Sequence, residues 1–325
     1  MRRIMTILTL LAMTACGTSD GVTDNAGIST TTIVEATDTT GQTSTTGSPD
    51  FPVTIEAANG EVTVERRPER IVSLAPTATE MLFAIGAGDQ VIAVDEFSNY
   101  PEEAPTTDLS GYEPNVEAVA ALDPDLVVVS DDLNEIVSAL TAIEVPVLHL
   151  PAATTLDDSY AQIDQMGMAT GNLADATTLV ATMTGDIDRL VASIPQLEEP
   201  VSYYHELDSS LFSVTSETFI GEIYSLAGLE NIADQAEGAE TLYPQLSAEH
   251  IIDADPDLIF LADTKCCGES PETVSARPGW GEMTAVARGS VVALDDDIAS
   301  RWGPRVVDLL EIIVDAVNRL EPDVS

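Results

Sequence analysis

Two stretches of this chain repeat one pattern 132 residues apart. Asn115-Val116-Glu117, followed by Asp123-Pro124-Asp125-Leu126, recurs as Ser247-Ala248-Glu249, followed by Asp255-Pro256-Asp257-Leu258. Each copy then runs into an apolar segment of strand character. A pattern repeated at that spacing calls for two similar lobes rather than one continuous core. In each copy a capping residue, Asn115 or Ser247, opens a short helix whose first turn carries a Glu, where the helix dipole favours a carboxylate.

Around the repeats, residues 51–325 alternate short β-rich runs with helical patterns, the mark of parallel α/β units. Candidate strands are 70–74, 91–94, 126–130, 145–150, 201–205, 258–261 and 291–294. A helix over 79–85 should stop at Gly86-Ala87-Gly88, where glycine accepts the left-handed conformation. Leu173, Ala176, Leu179, Met183, Ile187, Leu190 and Ile194 recur at steps of three and four, so residues 172–194 read as one amphipathic helix about 35 Å long. Pro195 and Pro200 end it. The expected fold is α/β, with two Rossmann-like lobes of parallel sheet joined by one long rigid backbone helix and a ligand cleft between them. The expected domains are an N-terminal lobe at 51–153, linking helices at 154–199 and a C-terminal lobe at 200–325.

The N-terminus carries Arg2 and Arg3, an apolar run over 4–12 and small residues up to Cys16, the layout of a secretory signal over 1–15. The stretch Leu11-Ala12-Met13-Thr14-Ala15-Cys16 resembles a bacterial lipobox, which implies lipidation of Cys16. Residues 16–50 are rich in Thr, Ser, Gly and Asp and hold too little apolar surface to fold, so they read as a tether reaching roughly 30 Å.

Charge narrows the choice of partner. Twelve Lys+Arg stand against 56 Asp+Glu, a net charge of -44, which repels nucleic acid and anionic lipid alike. Contact with a membrane is therefore expected only through the lipid anchor. Lys265 is the single lysine. With so few cations, the grouping of Lys265, Arg301 and Arg305 near the loops of the second lobe reads as a local positive spot that suits an anionic ligand.

Arg70-Ile-Val-Ser-Leu-Ala-Pro-Thr-Ala-Thr-Glu80, Gly86-Ala-Gly88, Ser98-Asn-Tyr-Pro101, the two Glu-bearing repeats and Ser300-Arg-Trp-Gly-Pro-Arg305 resemble the helical-backbone (class III) substrate-binding lipoproteins of ABC importers. That family takes up cobalamin, ferric siderophores or haem. The resemblance implies a monomer on the outer face of the cytoplasmic membrane that hands a metal chelate, a corrinoid or ferric siderophore, to an ABC permease dimer. It implies neither catalysis nor a resident cofactor. Glu117 and Glu249 are then the permease-docking residues, and Tyr100, Tyr243, Asp297 and Arg301 the ligand contacts, with Arg301 the main polar anchor. Tyr243 stands where a Trp is expected in cobalamin binders.

Three other readings share this sequence. A zinc or manganese binder of the same fold would need converging His and carboxylates, and the chain offers only His149, His205 and His250. A sensor lipoprotein would use the same cleft with a signalling partner, and a haem binder would use the same surfaces for another macrocycle. Residues 51–325 hold no Gly-x-Ser-x-Gly elbow, His-Glu-x-x-His run or phosphate-cradling glycine loop. Cys266 and Cys267 are adjacent. Oxidising conditions outside the cell favour a vicinal disulfide there, with two free thiols or thiol ligation of a metal as alternatives.

Overall fold

The computed structural model describes residues 50–196 and 199–320. The signal segment, Cys16 and nearly all of the expected tether lie outside the described residues, as do residues 197–198 and 321–325.

The described chain opens with a hairpin, β1 (Val53–Ala57) against β2 (Gly60–Val64), whose Val53, Ile55, Val62 and Val64 face the core. The first lobe follows as β3 (Ile71–Ser73), α1 (Pro76–Ala84), β4 (Val91–Asp95), β5 (Thr106–Leu109), α2 (Val116–Ala120), β6 (Leu126–Val129), α3 (Ile136–Thr141) and β7 (Val147–His149). Its five strands are all parallel in the order β5-β4-β3-β6-β7. The central β6 reads Leu-Val-Val-Val and is buried throughout, as a strand covered on both faces must be.

Two helices connect the lobes, where the heptad-like spacing alone predicts one. α4 (Leu156–Thr170) begins on a Thr155–Asp158 capping box and ends at Gly171, φ +78°; α5 (Leu173–Ala192) follows almost at once. They lie side by side, and Gly167 leaves room for Ala176 only because it has no Cβ. α4 also packs on α1 and β1 and bonds Glu222 and Trp302 of the second lobe, while α5 packs on the last helix of the second lobe. The backbone is stiff because it is double.

The second lobe comprises β8 (Val201–Glu206), α6 (Phe219–Leu226), β9 (Leu229–Asn231), α7 (Ala248–Ala254), β10 (Leu258–Leu261), α8 (Pro271–Ser275), α9 (Thr284–Arg288), β11 (Val291–Ala293), α10 (Asp296–Ser300) and α11 (Val306–Asn318). Its sheet is parallel, in the order β11-β10-β8-β9. Both sheets reverse direction of growth once, between β3 and β6 and between β8 and β10. Open α/β sheets bind ligands beyond the carboxyl ends of their strands at such points.

The repeated motif is a device for building those two pairs. Asn115 and Ser247 cap their helices, accepting from the N–H of Ala118 and of His250 at 3.1 Å each. Asp123 and Asp255 then take left-handed backbone, φ +50° and +46°, and the following prolines prevent resumption of the helix. Asp125 accepts from the N–H groups of Glu69 and Arg70 at 3.0 and 2.9 Å, clipping β6 to β3. Asp257 accepts from the N–H and hydroxyl of Ser202, both at 3.0 Å, and clips β10 to β8.

Candidate ligand-binding cleft

At the carboxyl edge of the first sheet, Asp95 ends β4 and folds the next residues back on itself, accepting from the N–H groups of Phe97 and Ser98 at 2.9 and 2.8 Å. Burial raises its carboxyl above the usual range, against the pull of those hydrogen bonds and of Arg301. Thr79 on α1 pins the loop from beneath by bonding Ser98 and Ser73, at 2.9 Å each. The loop therefore projects its aromatics: Phe97 is 50% exposed and Tyr100 47%. Tyr112 stands edge-on to Phe97, with ring centroids 5.6 Å apart. Its loop sits close over β3 because a Cβ on Gly111 would lie only 2.5 Å from the Leu74 carbonyl oxygen.

The matching edge of the second sheet also shows aromatics. Beyond β8, Phe212 pairs with Gln245, and Ser213 N–H donates to Pro244 O at 2.9 Å, a pinched ribbon that holds out Phe212 and Tyr243. Sequence reasoning reached Tyr100 and Tyr243 but not Tyr112 or Phe212. Exposure of an aromatic is a tertiary property, and no local spacing announces it.

The two edges meet at a seam. Glu80, on α1 of the first lobe, is 3% exposed and binds two arginines of the second. Arg301 Nη1 donates to its Oε1 at 2.8 Å, and Arg305 grips both oxygens through Nε at 2.9 Å and Nη2 at 2.6 Å. Arg301 also donates to Asn99 Oδ1 at 3.1 Å, to Phe97 O at 3.0 Å and to Asp297 at 2.6 Å. Asp297 in turn accepts from Asn99 at 3.0 Å and from Lys265 at 2.9 Å. Arg305 lies over the Tyr100 ring, 4.3 Å from its centroid. Trp302, between the arginines, donates to Gln162 of α4 at 2.9 Å.

This geometry changes the reading of the cations. Lys265, Arg301 and Arg305 do not form an open positive spot, because Asp295, Asp297 and Glu80 neutralise them at 2.6 to 2.9 Å. All four terminal N–H groups of the 8% exposed Arg301 go to protein acceptors, leaving Nε. In this arrangement it braces the lobes instead of standing free as a polar anchor. The large aromatic side chains left exposed at these edges are Phe97, Tyr100, Tyr112, Phe212 and Tyr243.

Glu117 and Glu249 occupy equivalent places, exposed in the first turns of α2 and α7, and neither has an ion-pair partner among the described residues. Cys266 and Cys267 are joined as a vicinal disulfide in an exposed turn after β10. The histidines are apart and bonded separately, His149 to Ser130 O, His205 to the Tyr224 hydroxyl and His250 to Ile232 O. Among the described residues no three His, Cys, Asp or Glu are grouped to hold a metal ion, and no helix is long and apolar enough to cross a membrane.

A model of the periplasmic binding protein family matches residues 71–298, which takes in both sheets and the helices between them. The chain belongs to the periplasmic binding protein family. A cobalamin-binding protein of Halobacterium salinarum is 32% identical over 278 residues, covering 82% of this chain and 74% of its own. An ABC transporter substrate-binding lipoprotein of Bacillus subtilis, YvrC, is 30% identical over 277 residues, covering 82% and 86%. Among solved structures, the periplasmic vitamin B12 binding protein BtuF of Vibrio cholerae superposes with a TM-score of 0.62 at 25% identity, covering 78% of this chain and 98% of its own. The heme-binding protein HutB of the same organism reaches 0.67 at 24% identity, covering 78% and 99%, a likeness of fold. The expected class, two parallel-sheet lobes on a helical backbone, is the fold of this periplasmic binding protein.

Proposed function

We propose that this periplasmic binding protein captures a corrinoid outside the cytoplasmic membrane, anchored there through lipidated Cys16, and delivers it to an ABC permease. The observation that carries the reading is the set of exposed aromatics on the carboxyl edges of both sheets, Phe97, Tyr100 and Tyr112 on one and Phe212 and Tyr243 on the other. Aromatic faces pack well on a flat macrocycle, and a large rigid ligand held by a braced cleft loses little entropy on binding. The names of the halobacterial and Vibrio relatives support the same class. Asp297 and Arg301 close the proposed site at its seam end by holding the loop that carries Phe97, Asn99 and Tyr100. The protein itself performs no chemistry on its cargo.

Isothermal titration with cyanocobalamin, haem and a panel of ferric siderophores tests this directly. Cyanocobalamin should bind stoichiometrically and most tightly. Haem is the second reading, because three exposed tyrosine hydroxyls could reach an iron centre, and a Soret band in protein from the native host would favour it. Failure to bind any of the three would remove the chelate class.

Docking follows from the repeated carboxylates. Glu117→Lys or Glu249→Lys should cut uptake into cells or proteoliposomes by at least tenfold while leaving cyanocobalamin affinity unchanged, since each carboxylate is exposed at the start of a capped helix. Normal uptake with both reversed would show that the permease grips another surface.

A further inference from the structure

The reversal point of the second sheet is closed by its own side chains. Glu206, at the end of β8, is fully buried and takes both terminal nitrogens of Arg277, at 2.6 and 2.5 Å. Arg277 pairs also with Glu269 at 2.8 Å. Beside them Asp263, two residues beyond β10, is fully buried and neither of its carboxylate oxygens has a hydrogen-bond partner. The turn bearing Cys266–Cys267 starts from Asp263 and folds back on it, with the N–H groups of Cys267 and Glu269 donating to the Asp263 backbone carbonyl at 3.2 and 3.4 Å.

One guanidinium cannot serve three carboxylates. Arg277 is committed to Glu206 and Glu269, so an ionised Asp263 would be a buried charge with no partner beside two like charges, whereas a neutral acid is tolerated. No group of His, Cys, Asp or Glu among the described residues, this cluster included, is arranged to hold a metal ion that would relieve it. We propose that Asp263 is a proton switch beneath the Cys266–Cys267 turn, which stays seated while the carboxyl holds its proton and is driven off when the carboxyl ionises.

The surroundings support that assignment. Burial first, then Glu206 and Glu269, push the Asp263 carboxyl up to about 7, with Arg277 pulling the other way. From β8 the Tyr204 hydroxyl also faces the cluster, kept protonated by burial and by Glu206. His205 lies between them in sequence but bonds Tyr224, and burial holds it neutral at about 3. On the far side of the turn, Asp296 accepts from the N–H groups of Lys265 and Cys266, and Lys265 holds Asp295 and Asp297. Asp297 crosses to Asn99 of the first lobe, so the proton on Asp263 governs a turn tied directly to the seam. Because the folded-state value lies above the unfolded one, near 3.9, this group's stabilising contribution is complete below about pH 4 and lost as pH rises through about 7.

Amide hydrogen exchange over residues 264–269 of the full chain, compared between the wild type and Asp263→Asn at each pH, tests the switch because the ratio cancels the intrinsic pH dependence of exchange. The two should exchange alike at pH 5.5, and the wild type at least tenfold faster at pH 8.5. Glu269→Gln removes a like charge, so it should move the wild-type midpoint to lower pH, and it serves if the asparagine variant folds poorly. A ratio independent of pH, or an Asp263 carboxyl carbon that titrates near 4 by NMR, would overturn the proposal. No ligand enters the measurement, so its failure leaves the corrinoid reading untouched, and failure of that reading leaves the switch standing.

Discussion

Replacing Glu80 with alanine should destabilise the protein by about 3 to 5 kcal/mol, the usual consequence of removing one member of a buried ion pair. In a protein of this size that lowers the thermal midpoint by roughly 10 °C. The effect is large because Glu80 is the shared acceptor of Arg301 and Arg305, so its loss leaves the 14% exposed Arg305 without its ion-pair partner and the 8% exposed Arg301 with Asp297 alone. Arg319→Ala is the contrasting control. Its pair with Asp315 spans 3.9 Å on the surface, with the arginine 76% exposed, and its removal should leave the midpoint almost where it was. Calorimetry or urea titration of both variants decides the matter. Equal midpoints would mean that the seam adds nothing to the joining of the lobes.

Cyanocobalamin affinity should fall at least tenfold for Tyr100→Ala and again for Tyr243→Ala, and by two to three orders of magnitude when both are removed. Aromatic anchors in a desolvated site commonly contribute about 2 kcal/mol or more each. Tyr100→Phe should keep most of the affinity, since packing of a ring on a macrocycle needs no hydroxyl. Tyr100 also supports the Arg305 guanidinium, so each variant needs its thermal midpoint alongside its titration. An unchanged dissociation constant in the double variant would place the ligand away from these faces, and the aromatic edges would then have another partner.

Much of the fold is legible locally. The strands at 126–129 and 258–261 survive almost residue for residue, since a parallel strand covered on both faces is apolar throughout, and 201–206 survives although it reads Val-Ser-Tyr-Tyr-His-Glu. Run 145–150 shortens to 147–149, where Pro146 has no N–H to give the ladder. Strands β5 and β9 escape notice because they are short edge strands reading Thr-Thr-Asp-Leu and Leu-Glu-Asn, with too few apolar residues to reveal a period. The linking helix α5 is found by its stripe, whereas α4 is foreseen only as helix somewhere within 154–199, because Asp157, Asp158, Gln162 and Gln165 dilute the apolar face that packs on α1 and β1.

The candidate site divides along the same physical line. Sequence by itself determined the two-lobed plan, the capped helices that present Glu117 and Glu249, and the loops that hold Tyr100, Tyr243, Asp297 and Arg301, because caps, turns and strand ends depend on residues only a few positions apart. It could not determine how the cations pair. In a chain with 56 acidic residues every arginine from Arg66 onward has carboxylates near it in sequence, yet Arg301 finds Glu80 from 221 positions away. Nor could it single out Asp263 as the carboxylate left without a partner, since that depends on Arg277 being already held by Glu206 and Glu269. Those choices belong to the tertiary structure. Charge pairing and burial are set by which elements the folded backbone brings together, and here only the packing of α1 against the 301–305 segment and the closing of the turn over β10 made them.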